Sequence, residues 1–285
     1  MPHEQGNEPR YCYRHPDRET GLSCSECGRP ICVDCMTIAP VGIRCPEHAG
    51  GGVHGGGTRG MARALRPRRG APVTMALVAV NVLLFLVELG QGGSSWNPAG
   101  SLFQNGALYG PLVAAGDWWR LITSAFLHAN FLHIGMNMLA LWWFGRELEA
   151  YIGSLRFALF YFVCALAGSA GSLIAEPNVV AIGASGAIFG VLGAFVTIEW
   201  LQTRRIGGPA LTLVIINLAF TFVAPNIAWG GHIGGLVGGV LGTLALARFG
   251  RGHPAYGRLS LVPVAALVAI GVVSVALAYW KVGTI

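Results

Sequence analysis

Charged residues are scarce in this chain: of its 285 residues only 11% are charged, whereas 53% are hydrophobic. Soluble domains carry about 25% charged residues, so the composition excludes an ordinary soluble protein and indicates lipid as the main solvent. Lysine occurs only at Lys281, and the remaining basic charge is arginine. The first 70 residues depart from this average because they are polar, basic and rich in cysteine. The chain therefore has two physically different parts.

An apolar run is also missing from residues 1–50, where a secretory signal would need one. We therefore expect the N-terminus to remain in the cytosol, where paired cysteines more often bind metal than form disulfides. The net charge of +6 raises nucleic acid as a partner. Because the basic residues cluster at the ends of apolar segments, the membrane surface explains them better, and nucleic acid is not the expected partner.

Seven apolar segments follow a glycine- and arginine-rich stretch at 51–71, which is typical of a flexible linker. By apolar run length they lie at about 73–89, 128–148, 155–175, 184–203, 209–224, 229–248 and 260–280. Most of them are near the roughly 20 residues that cross a bilayer. The sequence therefore predicts an all-α polytopic membrane protein.

The arginines that flank these segments predict the orientation. With the N-terminus inside, the three loops that follow segments 2, 4 and 6 are rich in arginine (Arg146, Arg156, Arg204, Arg205, Arg248, Arg251, Arg258). The opposite loops hold few cations. This asymmetry predicts a cytoplasmic N-terminus and an extracytoplasmic C-terminus. The long first outer loop, about 90–127, carries three tryptophans and is expected to lie in the membrane interface.

Four polar side chains within the apolar segments stand out: His133 and Asn137 in segment 2, Ser185 in segment 4 and His232 in segment 6. Polar groups at membrane depth are costly and are candidates for function. In the predicted topology all three segments begin at the outer side, and each candidate is near the start of its segment. The four side chains should therefore share one depth, just below the outer surface.

Glycines surround the candidate serine and histidine. Segment 4 carries Gly186, Gly190 and Gly193, and segment 6 carries two rows of glycines at four-residue spacing. Small residues let membrane helices approach closely, so the Ser185 hydroxyl could reach the His232 ring, the geometry of an activated nucleophile. Each residue also has an ordinary structural interpretation, in packing for serine and in bridging helices for histidine and asparagine. A transporter would need charged residues at mid-membrane, and beyond Glu88 the segments contain few.

These motifs together resemble the rhomboid family of intramembrane serine proteases, over residues 72–250. The matching pieces are Trp119-Arg120, His128-x4-His133-x3-Asn137, Glu149, Gly183-Ala184-Ser185-Gly186 and Gly231-His232-x2-Gly235-x3-Gly239. The resemblance implies a six-helix core at 72–250 and one additional C-terminal transmembrane helix within 251–285.

The resemblance also implies an endopeptidase of the plasma membrane that cleaves transmembrane proteins near the outer leaflet. Ser185 would be the nucleophile and His232 the general base, while Asn137 and His133 would bind the oxyanion. No carboxylate is evident near His232, which favours a dyad over a triad. Phe189, where the family often has tyrosine, can stack on His232 but has no hydroxyl. The alternative is a catalytically silent rhomboid-like protein that binds or escorts membrane clients, although that class is expected to lose Ser185 or His232.

The N-terminal part holds four pairs of metal-ligand type, each with two residues between its members. The pairs are Cys12/His15, Cys24/Cys27, Cys32/Cys35 and Cys45/His48. Eight ligands suit two tetrahedral zinc ions with none left over. So short a segment has little core and should need the metal to fold, which favours a structural role for zinc.

The spacing of these pairs resembles a B-box-type zinc finger. The resemblance implies interleaved ligation, with one ion on Cys12, His15, Cys32 and Cys35 and the other on Cys24, Cys27, Cys45 and His48. Sequential ligation remains the alternative from the sequence. We predict a zinc-binding domain at 1–50 whose partner is more plausibly a protein than nucleic acid. Cys164, in segment 3, is expected to be a small packing residue.

Overall fold

The protein is described here by a computed structural model. It describes residues 9–38, 43–48, 70–93, 98–205, 207–223, 228–250 and 261–284. The chain divides into two compact units, Met1–Pro67 and Arg68–Ile285. The predicted domain bounds of 1–50, 51–71, 72–250 and 251–285 stay predictions, since most of the linker and residues 251–260 lie outside the described residues.

The N-terminal unit contains two short antiparallel strand pairs. Strand β1 (Tyr11–Cys12) pairs with β2 (His15–Glu19), and β3 (Thr37–Ile38) pairs with β4 (Ile43–Arg44). Its buried core consists of Ile31 and five cysteines (Cys12, Cys24, Cys32, Cys35, Cys45). Among the described residues, Ile31 is the only fully buried aliphatic side chain of this unit, and Tyr13, Leu22, Met36 and Ile43 pack against this core partly buried, so the apolar core is small.

The second unit is helical throughout. Its helices are α1 (Pro72–Gly90), α2 (Gly100–Gly106), α3 (Gly110–Ala114), α4 (Arg120–Thr123), α5 (Phe131–Ala140), α6 (Arg146–Ile152), α7 (Ser154–Ala175), α8 (Ser185–Thr203), α9 (Pro209–Val223), α10 (Trp229–Gly250) and α11 (Leu261–Val282). Among the described residues, five of these helices are long and apolar enough to cross a membrane, namely α1, α7, α8, α10 and α11. Helix α9 is apolar but shorter. The predicted all-α, multi-pass architecture is confirmed, and each of the seven apolar segments coincides with a helix over most of its length.

Segment 2 differs in detail from its prediction at 128–148. A π-helical turn, Leu141–Gly145, joins α5 to α6, so the helical run extends from Phe131 to Ile152. It begins late because Asn130 caps α5, with its side chain accepting a 2.9 Å hydrogen bond from the His133 N–H. It ends at Gly153, whose φ of 88° is a conformation that glycine adopts at helix ends. His128 consequently lies in the loop before the helix.

Glu149, on α6, joins that helix to the N-terminal end of α1. Helix α1 begins at Pro72 with no side-chain cap of its own. Instead, the buried Glu149 carboxylate accepts hydrogen bonds from the Val73 N–H (3.1 Å), the Thr74 N–H (2.8 Å) and the Thr74 hydroxyl (2.7 Å). A carboxylate at this position satisfies N–H groups that a helix start leaves unpaired, and it favours the positive end of the helix dipole.

The long loop between α1 and α5, predicted to lie on the outer side, contains the short helices α2, α3 and α4. Arg120, only 3% exposed, holds the loop together. Its guanidinium donates to the Gln104 and Ala107 carbonyls and forms an ion pair with Asp117 at 2.9 Å. Trp118 is largely exposed, as expected of a side chain at the membrane interface.

Helices α7, α8 and α10 pack against one another and form the centre of the unit. Helix α10 meets α8 backbone to backbone: a Cβ added at Gly235 would collide with the Gly186 carbonyl, and one added at Gly239 with the Gly190 carbonyl. A second glycine row of α10 approaches α7 in the same way. Close approach of this kind is how helices associate in lipid, where no hydrophobic driving force acts between them.

We expect Gly235→Ala to destabilise the protein by about 1–3 kcal/mol, because the added methyl group forces α8 and α10 apart. Gly135→Ala is the matched control, since a Cβ at Gly135 has no neighbour within 4 Å. Thermal unfolding in detergent measures both changes. Equal unfolding temperatures for the two variants would show that the glycine contact does not set the helix spacing.

Candidate active site

Ser185 is the first residue of α8 and is reached through a sharp turn at Gly183. Gly183 has a φ of 120°, and its N–H donates to the Ser124 carbonyl at 2.8 Å. A Cβ on this residue would lie 2.7 Å from His133 Nε2. Both the backbone conformation and the space therefore require glycine. The turn presents the serine at the N-terminal end of the helix, next to side chains from α5.

His232 lies in the first turn of α10 and faces the serine. Its Nε2 is 2.7 Å from the Ser185 hydroxyl oxygen, and the residue is 8% exposed. The imidazole stacks on Phe189, one turn after the serine, with ring centroids 4.3 Å apart and planes inclined by 16°. Segments 4 and 6 thus bring together the two residues that the sequence nominated. The Phe189 ring stacks on His232, as the sequence analysis expected.

Thr221, on α9, also contacts this histidine and was not among the residues predicted from the sequence. Its hydroxyl oxygen lies 2.7 Å from His232 Nδ1, on the side of the ring opposite the serine. The side chain is buried and also donates to the Asn217 carbonyl at 2.8 Å. The rule that selected Ser185, a polar group inside an apolar segment, applies equally to Thr221 and would have found it.

His133 and Asn137 lie one turn apart on α5, beside Gly183. His133 Nδ1 accepts a 3.3 Å hydrogen bond from the Ala129 N–H, which leaves its proton on Nε2. Nε2 points at the Gly183 turn, and the Asn137 amide nitrogen would lie 3.7 Å from a Cβ on that residue. Two side-chain N–H donors therefore face the turn that carries Ser185.

His128 and Glu88 lie behind this group. His128 is fully buried, and its backbone N–H donates to the Glu88 carboxylate at 3.3 Å. The imidazole ring of His128 meets the His133 ring edge to face, with ring centroids 5.0 Å apart. Glu88 is likewise buried. These contacts pack His128 against the His133 ring and connect the loop before α5 to α1, which favours a structural role for His128.

The N-terminal unit gathers its ligand-type side chains into two clusters. One contains Cys12, His15, Cys32 and Cys35, and the other contains Cys24, Cys27, Cys45 and His48. Within each cluster the ligand atoms all lie within 4.8 Å of one another. These are the two sets that the B-box resemblance implies, and the sequential arrangement would divide them differently.

The spacing inside the clusters fits a tetrahedral ion. Zinc bonds of about 2.3 Å to sulfur and about 2.0–2.1 Å to nitrogen place neighbouring ligand atoms about 3.5–3.8 Å apart. His15 Nδ1 lies 3.3 Å from both Cys32 Sγ and Cys35 Sγ, and Cys27 Sγ lies 3.8 Å from Cys45 Sγ. Both clusters therefore have the composition and size to bind zinc.

Backbone hydrogen bonds prepare two of the thiols for a metal. Burial raises the pKa of the Cys12 thiol, but hydrogen bonds from backbone N–H groups, first that of Cys32, outweigh it and lower the pKa to about 6. The Cys24 thiol behaves in the same way, with the Cys45 N–H as the first donor and a pKa of about 6. Thiolates are the form of cysteine that binds metal, so both residues are suited to it at neutral pH.

Comparison with known proteins places the second unit in a family. A family model described as the rhomboid domain matches residues 115–249, which include every active-site candidate from α5, α8, α9 and α10. Rhomboid protease GluP of Bacillus subtilis is 40% identical over 177 residues, 61% of this chain and 34% of that protein. RHOMBOID-like protein 5 of Arabidopsis thaliana is 36% identical over 162 residues, 53% of this chain and 52% of that protein.

The rhomboid protein YdcA of Bacillus subtilis is matched over more of its own length. It is 39% identical over 134 residues, which are 45% of this chain and 67% of that protein. The extent of this match, together with the domain match over α5 to α10, shows the family. The chain is a multi-pass membrane protein that belongs to the rhomboid family.

Proposed function

We propose that this protein is an intramembrane serine endopeptidase that cleaves transmembrane segments near the outer leaflet of the plasma membrane, with Ser185 and His232 as a catalytic dyad. The observation that carries the proposal is the 2.7 Å distance between His232 Nε2 and the Ser185 hydroxyl oxygen. Relatives that share the domain, such as GluP, are named as proteases. A silent protein that only binds clients does not need a serine hydroxyl aligned with a histidine nitrogen, so this alignment favours the protease.

The reaction begins when His232 Nε2 takes the proton of the Ser185 hydroxyl as the oxygen attacks the substrate carbonyl. The tetrahedral intermediate collapses to an acyl-enzyme while His232 gives its proton to the leaving amine. Water, activated by the same nitrogen, then hydrolyses the ester. The polar side chains around the dyad make a site in which water is stable inside an otherwise apolar bundle.

The developing oxyanion needs donors, and we assign them to His133, Asn137 and the Ser185 N–H. The first N–H groups of a helix have no partner within the helix, and the helix dipole is positive at this end. Ser185 is the first residue of α8. The His133 Nε2–H and the Asn137 amide face the same turn. Fixed donors of this type stabilise the transition state more than the bound substrate.

The orientation of α8 supports cleavage near the outer leaflet. The helix begins at Ser185 and ends at Thr203, where Arg204 and Arg205 follow. Arginines next to a span are typical of the cytoplasmic side, so the serine end faces outward and the N-terminal unit lies in the cytosol. A substrate helix must unwind locally to be cut, because helical peptide bonds are shielded and internally hydrogen-bonded.

We expect Ser185→Ala and His232→Ala each to lower cleavage of a model transmembrane substrate by at least about 10³-fold, because either change removes the nucleophile or its base. Purified protein in detergent and a gel assay measure this. Ser274→Ala, on α11 away from the dyad, is the matched control and should cleave normally. Wild-type protein that binds the substrate without cutting it would favour the silent client-binding alternative.

Asn137→Ala should lower kcat by about 10²-fold with little change in KM, because an oxyanion donor acts mainly in the transition state. Steady-state kinetics in detergent separate the two parameters. Met136→Ala, the neighbouring residue that is exposed on the outer face of α5, serves as the control. A rise in KM alone would assign Asn137 to substrate binding instead.

The two cysteine clusters are proposed to bind one structural zinc ion each, and the folded module to bind a protein partner in the cytosol. Zinc would supply the cross-links that the small core lacks, while the protein contributes eight ligand side chains and the backbone donors that lower the pKa of the Cys12 and Cys24 thiols. Ligand sets filled entirely by side chains leave no open position, which favours a structural role over a catalytic one.

Cys24→Ser should reduce the zinc content of the full chain from about two ions to about one and make the N-terminal unit sensitive to protease, because a structural site rarely survives loss of a thiolate. Detergent-solubilised proteolysis of a model substrate should persist. Metal analysis and limited digestion provide the measurements, with Cys164→Ala as the matched non-ligand control. Unchanged zinc content would refute the ligand assignment.

A further inference from the structure

Thr221 occupies an unusual position on α9. Most residues of that helix are exposed, and among those whose burial is described only Val214 and Thr221 are buried, each at 3%. A hydroxyl buried at membrane depth is costly unless it has hydrogen-bond partners. Its partners are the Asn217 carbonyl at 2.8 Å and His232 Nδ1 at 2.7 Å. The residue therefore joins α9 to the proposed catalytic base.

The direction of these hydrogen bonds follows from counting protons. A threonine hydroxyl has one hydrogen to donate and lone pairs with which to accept. Its hydrogen goes to the Asn217 carbonyl, one turn back on the same helix, as is usual for threonine in helices. The oxygen must then accept from His232, so the imidazole proton resides on Nδ1. Nε2 is left with a lone pair, and it is Nε2 that lies 2.7 Å from the Ser185 hydroxyl.

We propose that Thr221 is a positioning residue, which holds His232 in the Nδ1–H tautomer and aims its Nε2 lone pair at Ser185. The inference rests on the dyad proposed above and gives it a third member that is neutral. Stacking on Phe189 fixes the plane of the ring, and the hydrogen bond to Thr221 fixes the rotation of the ring within that plane. The wrong tautomer would present an N–H to the serine and could not accept its proton.

The chemistry differs from that of a carboxylate triad. When Ser185 attacks, its proton moves to His232 Nε2, while the Nδ1 proton stays on the ring and Thr221 stays neutral throughout. Thr221 thus orients the base without adding a negative charge that would have to be buried in the bilayer. Because Thr221 and His232 lie on different helices, the base is aligned only while α9 keeps its register against α10.

Kinetics test the role of the hydroxyl. Thr221→Val keeps the shape but removes the acceptor, and it should lower kcat about tenfold, the rate equivalent of a lost hydrogen bond, with KM unchanged. Thr221→Ser keeps the hydroxyl and should restore most of the activity. Thr212→Val removes an exposed hydroxyl from the same helix and is the matched control. Normal kcat in Thr221→Val, or equal losses in the valine and serine variants, would overturn the proposal.

A second measurement reports the tautomer without relying on cleavage. In protein labelled with ¹⁵N-histidine, the His232 signals are identified by their absence from His232→Ala. Wild-type protein should show a protonated Nδ1, and Thr221→Val should shift the population toward protonated Nε2. A wild-type spectrum with the proton on Nε2 would overturn the role of Thr221 whatever the activity. A wild-type protein that has a protonated Nδ1 but cleaves no substrate would instead contradict the proposed protease activity, while the hydrogen bond from His232 to Thr221 would still be supported.

Discussion

The active-site geometry depends on how closely α8 and α10 approach. Neither Ser185 nor His232 has a long side chain, so an oxygen and a nitrogen can meet at 2.7 Å only if the helix backbones are nearly in contact. The glycines at 186, 190, 235 and 239 make that contact. In lipid, packing rather than the hydrophobic effect holds helices together, so the residues that permit proximity also supply much of the attraction.

Burying a polar group in a bilayer costs free energy, and in this protein several such groups form hydrogen bonds that reduce the cost. The Glu149 carboxylate accepts hydrogen bonds from N–H groups at the start of α1, and the Arg120 guanidinium donates to carbonyls of the loop between α1 and α5. The Thr221 hydroxyl contacts the imidazole whose other nitrogen faces the serine. These three side chains therefore either pair backbone groups at a helix or loop end or contact a group proposed to react. The N-terminal unit has a different problem, a small apolar core, and gathers thiols and imidazoles in its place.

Much of the candidate site was predictable because membrane sequences are easy to interpret in two respects. Long apolar runs must be helices, and polar residues within them are exceptions that need a reason. Ser185 and His232 were found in this way, and the pairs of cysteine and histidine were found by their spacing. The start of segment 2 was missed because hydropathy does not register a cap, and Asn130 ends the preceding loop inside an apolar run.

The sequence by itself determined the all-α, membrane-spanning class, the separation of a cysteine-rich unit from an apolar one, and the identity of the nucleophile and base that we propose. Tertiary structure alone decided which side chains touch. Thr221 and His232 are eleven residues apart on different helices, and no local pattern reveals that their polar atoms lie within 2.7 Å. The resemblance to a B-box implied two interleaved clusters of cysteine pairs, and the tertiary structure decided between them and the sequential alternative. Periodicity and composition are local properties of a chain, whereas contacts between distant residues depend on how the elements pack.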